Sequence, residues 1–147
     1  MRGSFEMAAE SRTESLAGIR EFILSSTEGS ALDRRDRFRL MMAVDEAATN
    51  IIMYSGSVGI KIECRIYRDR AVVLLRDRGV AFDPLEAPAP EVDRPLEERE
   101  VGGLGIFFVR NLTDGAEYRR EGDENLLTLT VRHRGGGAQA TLPRRGA

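Results

Sequence analysis

The sequence predicts an α+β fold, a two-layer α/β sandwich with helices on one face of a mixed, largely antiparallel sheet. Two stretches in the N-terminal third carry apolar residues at helical spacing. Two pairs of short strand-like runs are each joined by a few polar residues. The order along the chain is helix, helix, strand pair, long loop, helix, strand pair. The 147 residues fit one domain, expected over 1–132, followed by a disordered glycine-rich tail over 133–147.

The first helix is expected from about Ala9 to Ser25, where Leu16, Ile19, Phe22 and Ile23 recur on one face and Glu28-Gly29-Ser30 closes the segment. A second runs from Leu32 or Asp33 to Tyr54, with Met41, Val44, Ala48, Ile51 and Ile52 as its apolar stripe and Ser55-Gly56-Ser57 as its stop. Gly59–Tyr67 alternates Ile60, Ile62, Cys64 and Ile66 with polar residues, the pattern of a strand with one wet face. Ala71–Arg76 is continuously apolar and reads as a more central strand. Pro84–Glu100 holds four of the five prolines and no apolar period, so it reads as a loop. Leu104–Leu112 is a short helix opened by glycines, with Phe107 and Phe108 as core residues. Gly115–Arg120 and Asn125–Arg132 form a closing hairpin.

Composition excludes several functions. Twenty-two basic against twenty-four acidic residues give a net charge of −2, which recruits neither nucleic acid nor an anionic membrane. Lys61 is the single lysine, and one histidine (His133) and one cysteine (Cys64) exclude a disulfide framework and a zinc cluster. No apolar run approaches the ~20 residues of a membrane span, and no signal segment opens the chain, so a cytoplasmic protein is expected. Arg34, Arg35, Arg37 and Arg39 interleave with Asp33 and Asp36 and read as a solvated face.

Three places can carry chemistry. Glu46 and Asn50, four residues apart on the second helix, share one face nearly opposite the apolar stripe. That face is either simply solvated or, stripped of bulk by Ala43, Ala47 and Ala48, open to a ligand that a carboxylate could deprotonate and a carboxamide could hold through Mg²⁺. Asp77-Arg78-Gly79-Val80-Ala81-Phe82-Asp83-Pro84 follows the buried strand; it is either a turn or a site where Asp77 meets a heterocycle and Gly79 lets a base approach the backbone. Val101-Gly102-Gly103-Leu104-Gly105-Ile106 precedes a helix and is either a hinge or a phosphate contact. It lacks the strand before it and the Gly-Lys-Ser/Thr that the common nucleotide motifs need.

The helix DEAATNIIMY (Asp45–Tyr54), the turn DRGVAFDP (Asp77–Pro84) and the segment PLEEREVGGLGIFFVRNLTDGAEY (Pro95–Tyr118) resemble the three nucleotide boxes of the histidine-kinase-like, or Bergerat, ATPases. Within that superfamily they are most similar to the bacterial anti-sigma-factor serine kinases, with Asn125–Leu129 also in the pattern. The resemblance implies ATP and Mg²⁺ as cofactors and a mobile ATP lid over about 84–101. It implies Glu46 as the group that activates the attacking hydroxyl, Asn50 as the Mg²⁺ ligand, Asp77 as the acceptor from the adenine amino group and Gly79 as the glycine beneath the ring. Gly102, Gly103, Leu104 and Gly105 take the lid-end positions whose backbone meets the phosphates. Asn125 stands where many relatives carry a threonine reaching adenine through water. Ala81 replaces a second glycine common in the turn, and Tyr54 stands where some members carry histidine.

The expected function is an ATP-dependent serine/threonine protein kinase acting as an anti-sigma regulatory factor. It would bind a sigma factor and phosphorylate an anti-anti-sigma antagonist, with no direct contact to nucleic acid or membrane; the resemblance also suggests a homodimer. One alternative is a non-catalytic ATP/ADP-responsive switch that sequesters a partner. Another is an interaction domain with a vestigial pocket.

Overall fold

The computed structural model describes residues 1–83, 85 and 109–133. Its elements are β1 (Gly3–Glu10), a 3₁₀ turn at Thr13–Ser15, α1 (Leu16–Ser26), α2 (Arg34–Tyr54), β2 (Gly59–Ile66), β3 (Arg70–Asp77), β4 (Gly115–Glu121) and β5 (Glu124–Arg132). A helical turn spans 109–112. The strands form one sheet in the order β1-β2-β3-β5-β4, and α1 packs on α2 while α2 packs on β3 and β5. This is the α+β sandwich the sequence predicts. Every pairing is antiparallel. After β3 the chain crosses over, so that β5 rather than β4 lies against β3.

The core lies between the helices and one sheet face. Ile60, Ile62, Cys64 and Ile66 of β2, Ala71, Val73 and Leu75 of β3, and Leu127, Leu129 and Val131 of β5 point into it, meeting Ile19 and Ile23 of α1 and Leu40, Val44, Ala48 and Ile51 of α2. Alternation along each strand sends the odd or even set inward, so this face is continuous. Burial pushes the Cys64 thiol up to about 12, which leaves it a small inert core group. Among the described residues no helix is long and apolar enough to cross a membrane.

Two expectations about the N-terminal third need correction. The first helix does not begin near Ala9. Gly3–Glu10 is an edge strand in register with β2, Met7 opposite Ile62 and Ala9 opposite Ile60, and α1 starts at Leu16. GSFEMAAE has no β-branched residue and little strand propensity, so pairing with β2 decides its conformation. The arginine cluster is only half a solvated face. Arg34 and Arg35 are exposed, whereas Arg37 donates to Thr27 Oγ1 (3.0 Å) and the Leu24 carbonyl (2.5 Å), fixing the α1–α2 loop. Arg39 pairs with Asp36 (3.1 Å) and Asp114 (3.5 Å) and donates to the carbonyl of Leu112 at the end of the 109–112 turn (2.9 Å).

The remaining boundaries agree with the sequence to within a residue or two. Asp33 caps α2 through a reciprocal capping box with Asp36, and Gly56 follows its end with φ 71°. His133, expected as the first tail residue, is held by Asp69 (backbone N to O, 2.8 Å) and stands 3.4 Å from Asp36. The loop beyond Leu85, the lid and its glycines, Phe107, Phe108 and the rest of the tail lie outside the described residues.

Candidate functional site

The middle of α2 supplies the first wall of the site. Besides the expected stripe, Asp36, Ala43, Ala47 and Asn50 are buried and follow one line along the helix at i, i+7, i+11 and i+14. The side bearing Asn50 is therefore not the solvated face that spacing alone allowed. Asn50 is 0% exposed, and among the described residues neither its Nδ2 nor its Oδ1 has a hydrogen-bond partner. Leaving a buried amide unpaired costs about 1–3 kcal/mol, so a fold keeps such a group for a reason beyond packing.

Glu46, one turn earlier, is half-buried, and its carboxyl is held above the usual carboxylate range, first by burial and then by the neighbouring charge of Asp45. Asp45 is itself bound by Arg20 at 2.7 Å. A carboxyl raised in this way is a better proton acceptor than a solvated one once ionised.

The turn after β3 supplies the second wall. Asp77 is the last residue of β3 and takes the inward position continuing Val73 and Leu75, so its carboxylate faces the helix layer. It is 4% exposed. Oδ1 accepts from the Gly79 amide (2.9 Å) and from Asn125 Nδ2 (3.1 Å), while no donor among the described residues reaches Oδ2. One oxygen is fixed and the other is left for something else.

Gly79 is required by a contact that the sequence did not reveal. A Cβ built on it would lie 2.6 Å from the carbonyl carbon of Ser55 and closer still to its oxygen. The turn is pressed onto the end of α2, where the Val80 amide donates to the same Ser55 oxygen (2.8 Å). Helix–turn contact by itself demands a glycine here. Ala81 is exposed, and Tyr54 packs on Phe82 with ring centroids 5.6 Å apart.

Asn125 is engaged by protein across three strands and the turn. It pairs with Asp77 across β3–β5 and with Arg120 across β5–β4, so the three side chains form a row over three strands. Its Nδ2 uses both protons, on Asp77 Oδ1 and on the Val80 carbonyl (2.7 Å). Its Oδ1 accepts from the Tyr118 hydroxyl (2.6 Å), the Phe82 amide (3.2 Å) and Arg120 (3.2 Å). Both protons and the oxygen of this amide are therefore engaged within the protein.

The structure thus brings Asn50 and Asp77 to the same side of the sheet. Asn50 precedes Ser55, the residue touching the Gly79 turn, by five residues, or about 7.5 Å along the helix. Gly102, Gly103, Leu104 and Gly105 lie outside the described residues. Ser55, Tyr118 and Arg120 were missed by sequence reasoning. The signal for the last two was an asparagine at an inward position of an apolar strand, which demands partners from the adjoining strand. The residues present fit the groups the resemblance implies. The Asn50 oxygen is the hard neutral donor Mg²⁺ accepts, and Asp77 Oδ2, with no donor among the described residues, is an acceptor for an exocyclic amino group.

A second cluster, Asp33, Asp36 and His133, brings its ligand atoms within 4.8 Å of one another. Asp33 and Asp36 are spent on the helix cap and Asp36 also on Arg39, so the cluster fastens α2 to the end of β5.

The histidine kinase-like ATPase domain matches residues 9–131. The chain is 33% identical over 100 residues to the serine/threonine-protein kinase BtrW of Bordetella bronchiseptica, covering 65% of this chain and 70% of that protein. It is 27% identical over 135 residues to the serine-protein kinase RsbW of Bacillus cereus, covering 87% and 83%. Among solved structures, the RsbU and RsbW domains of Rv1364c from Mycobacterium tuberculosis match with a TM-score of 0.62 at 13% identity, over 88% of this chain and 32% of that one, a likeness of fold. A match over residues 9–131, nearly the whole described fold, places the chain in the histidine kinase-like ATPase domain family.

Proposed function

We propose that this chain is an ATP-dependent serine/threonine protein kinase acting as an anti-sigma factor, which binds a sigma factor and phosphorylates an anti-anti-sigma antagonist. The observation that carries the reading is the fully buried, unpartnered carboxamide of Asn50. The kinase names of the relatives support phosphoryl transfer, and the resemblance of the three boxes supports the anti-sigma role.

In this reading Asp77 Oδ2 accepts from the adenine amino group while Oδ1 stays with Gly79 and Asn125. Asn50 Oδ1 holds Mg²⁺, which when bound offsets charge on the phosphates. Glu46 takes the proton from the partner's serine hydroxyl as that oxygen bonds to the terminal phosphorus and ADP departs. Its raised carboxyl keeps proton affinity for that step. Gly102, Gly103, Leu104 and Gly105 contribute backbone amides to the phosphates, and catalysis is mainly positioning and electrostatics.

The test is transfer from labelled ATP to candidate antagonists. Parent protein should transfer phosphate, while Glu46→Gln and Asn50→Ala should lose it by about 100-fold or more. Transfer by both variants at the parent rate sinks the role assignment. No transfer by the parent, with partner binding that still depends on Mg-ATP, replaces the kinase with a nucleotide-responsive switch.

A further inference from the structure

Asp77 offers a ligand one free oxygen, and the other residues of its row determine which way that oxygen points. The Asn125 carboxamide is the only side chain among the described residues that donates to Asp77, and its own orientation is not free. An asparagine amide can flip, exchanging donor for acceptor. Here the flip is blocked from both ends. Nδ2 must face the Asp77 carboxylate and the Val80 carbonyl, and Oδ1 must face three donors, of which the Tyr118 hydroxyl is the closest at 2.6 Å. Arg120 adds a charge-assisted donor to Oδ1 and also reaches the Gly79 carbonyl (2.9 Å), tying the amide to the turn that presents Asp77.

We propose that Tyr118 and Asn125 form a positioning unit, completed by Arg120, that locks Asp77 Oδ1 and so dedicates Oδ2 to recognising the exocyclic amino group of the base. The inference rests on the nucleotide reading above and deepens it. Tyr118 and Asn125 touch no ligand; they set specificity through Asp77. A flipped or lost amide would let the carboxylate rotate or share its oxygens, and the difference between a base with an amino group and one without it would shrink. The unit is built across three strands, with Asp77, Asn125 and Arg120 in register and Tyr118 two residues before Arg120 on β4, so the rigid sheet holds it.

The test compares ADP with purine riboside diphosphate, which lacks the amino group, by calorimetry on the full chain. The parent should prefer ADP. Tyr118→Phe, nearly isosteric, should cut the preference about threefold and Asn125→Ala about tenfold, the worth of one hydrogen bond lost at one or two removes. A merely structural role would weaken both nucleotides equally and leave their ratio alone. Equal affinity of the parent for the two, or an unchanged ratio in Tyr118→Phe, overturns the proposal even if Asn125→Ala fails to fold.

If the parent binds neither nucleotide, the nucleotide reading falls by itself and hydrogen exchange on the free protein decides the unit. The Asn125 side-chain amide protons must then exchange slowly in the parent and fast in Tyr118→Phe. Fast exchange in the parent overturns the lock.

Discussion

Asn50 and Asn125 are both asparagines buried to within 4% of complete, and they sit on α2 and β5, elements that pack together. Asn125 takes part in five hydrogen bonds, two given and three accepted. Asn50 makes none among the described residues. The same side chain at the same depth is in one place part of the scaffold and in the other an expense the scaffold bears. The difference separates the turn after β3, where polar groups are satisfied by protein, from the middle of α2, where Asn50 waits for a partner and Glu46 is held away from its ordinary titration. The first region fixes the shape of the site and presents Asp77 to it; the second holds an amide that no described residue satisfies.

The comparison is broken most severely by disturbing the satisfied region at its tightest point. Gly79→Ala places a methyl against the backbone of Ser55, which ends a 21-residue helix and cannot move aside as a flexible side chain could. The variant should lose about 4 kcal/mol or fail to fold, read by chemical denaturation. A variant of parental stability would mean that the turn stands off from α2 and that Gly79 is free to serve a ligand after all.

Next in size is a matched pair of substitutions. Asn125→Leu orphans the Val80 carbonyl, the Phe82 amide and the Tyr118 hydroxyl, and should cost about 3 kcal/mol. Asn50→Leu removes a polar group that no described residue satisfies, and in the absence of nucleotide should stabilise the protein by about 1 kcal/mol. Opposite signs in the two denaturation midpoints sharpen the contrast. Destabilisation of similar size at both sites would show that Asn50 has a structural partner and would remove the observation on which the proposed function stands.

Much of the scaffold was legible because it repeats. The stripe from Met41 to Ile51 and the alternation from Ile60 to Ile66 report period directly, and the Asp33 capping box and Gly56 mark where α2 begins and ends. β1 was not legible, because Met7 and Ala9 acquire their role only from β2. At the site, residue types were readable and their states were not. Glu46, Asn50 and Asp77 stand out by position and by family resemblance. Whether Asn50 faces water or the interior depends on the burial of Ala43 and Ala47, which no local pattern encodes. At Gly79 and Asn125 the residue types stood out and their protein neighbours did not. Gly79 answers to Ser55 and Asn125 to Tyr118, partners separated by a helix–turn contact in one case and a strand register in the other.

The smallest expected effect tests whether Glu46 belongs with Asn50. Burial, reinforced by Asp45, raises its carboxyl, so the folded protein disfavours the ionised form. The protonated carboxyl contributes stability that is fully present below the ordinary carboxylate range and is lost as pH rises through the folded-state value. Glutamine has no proton to lose. Glu46→Gln should therefore melt slightly above the parent at about pH 7, with the gap closing as pH falls through the carboxylate range and gone below about 3, where the parent carboxyl is protonated in both states. The same variant should lose phosphoryl transfer, so a gain in stability would accompany the loss of activity, as expected of a group kept for chemistry. If the gap is absent at every pH, or if the parent gains on the variant as pH rises, Glu46 is an ordinary surface carboxylate, and the strained region of α2 narrows to Asn50 alone.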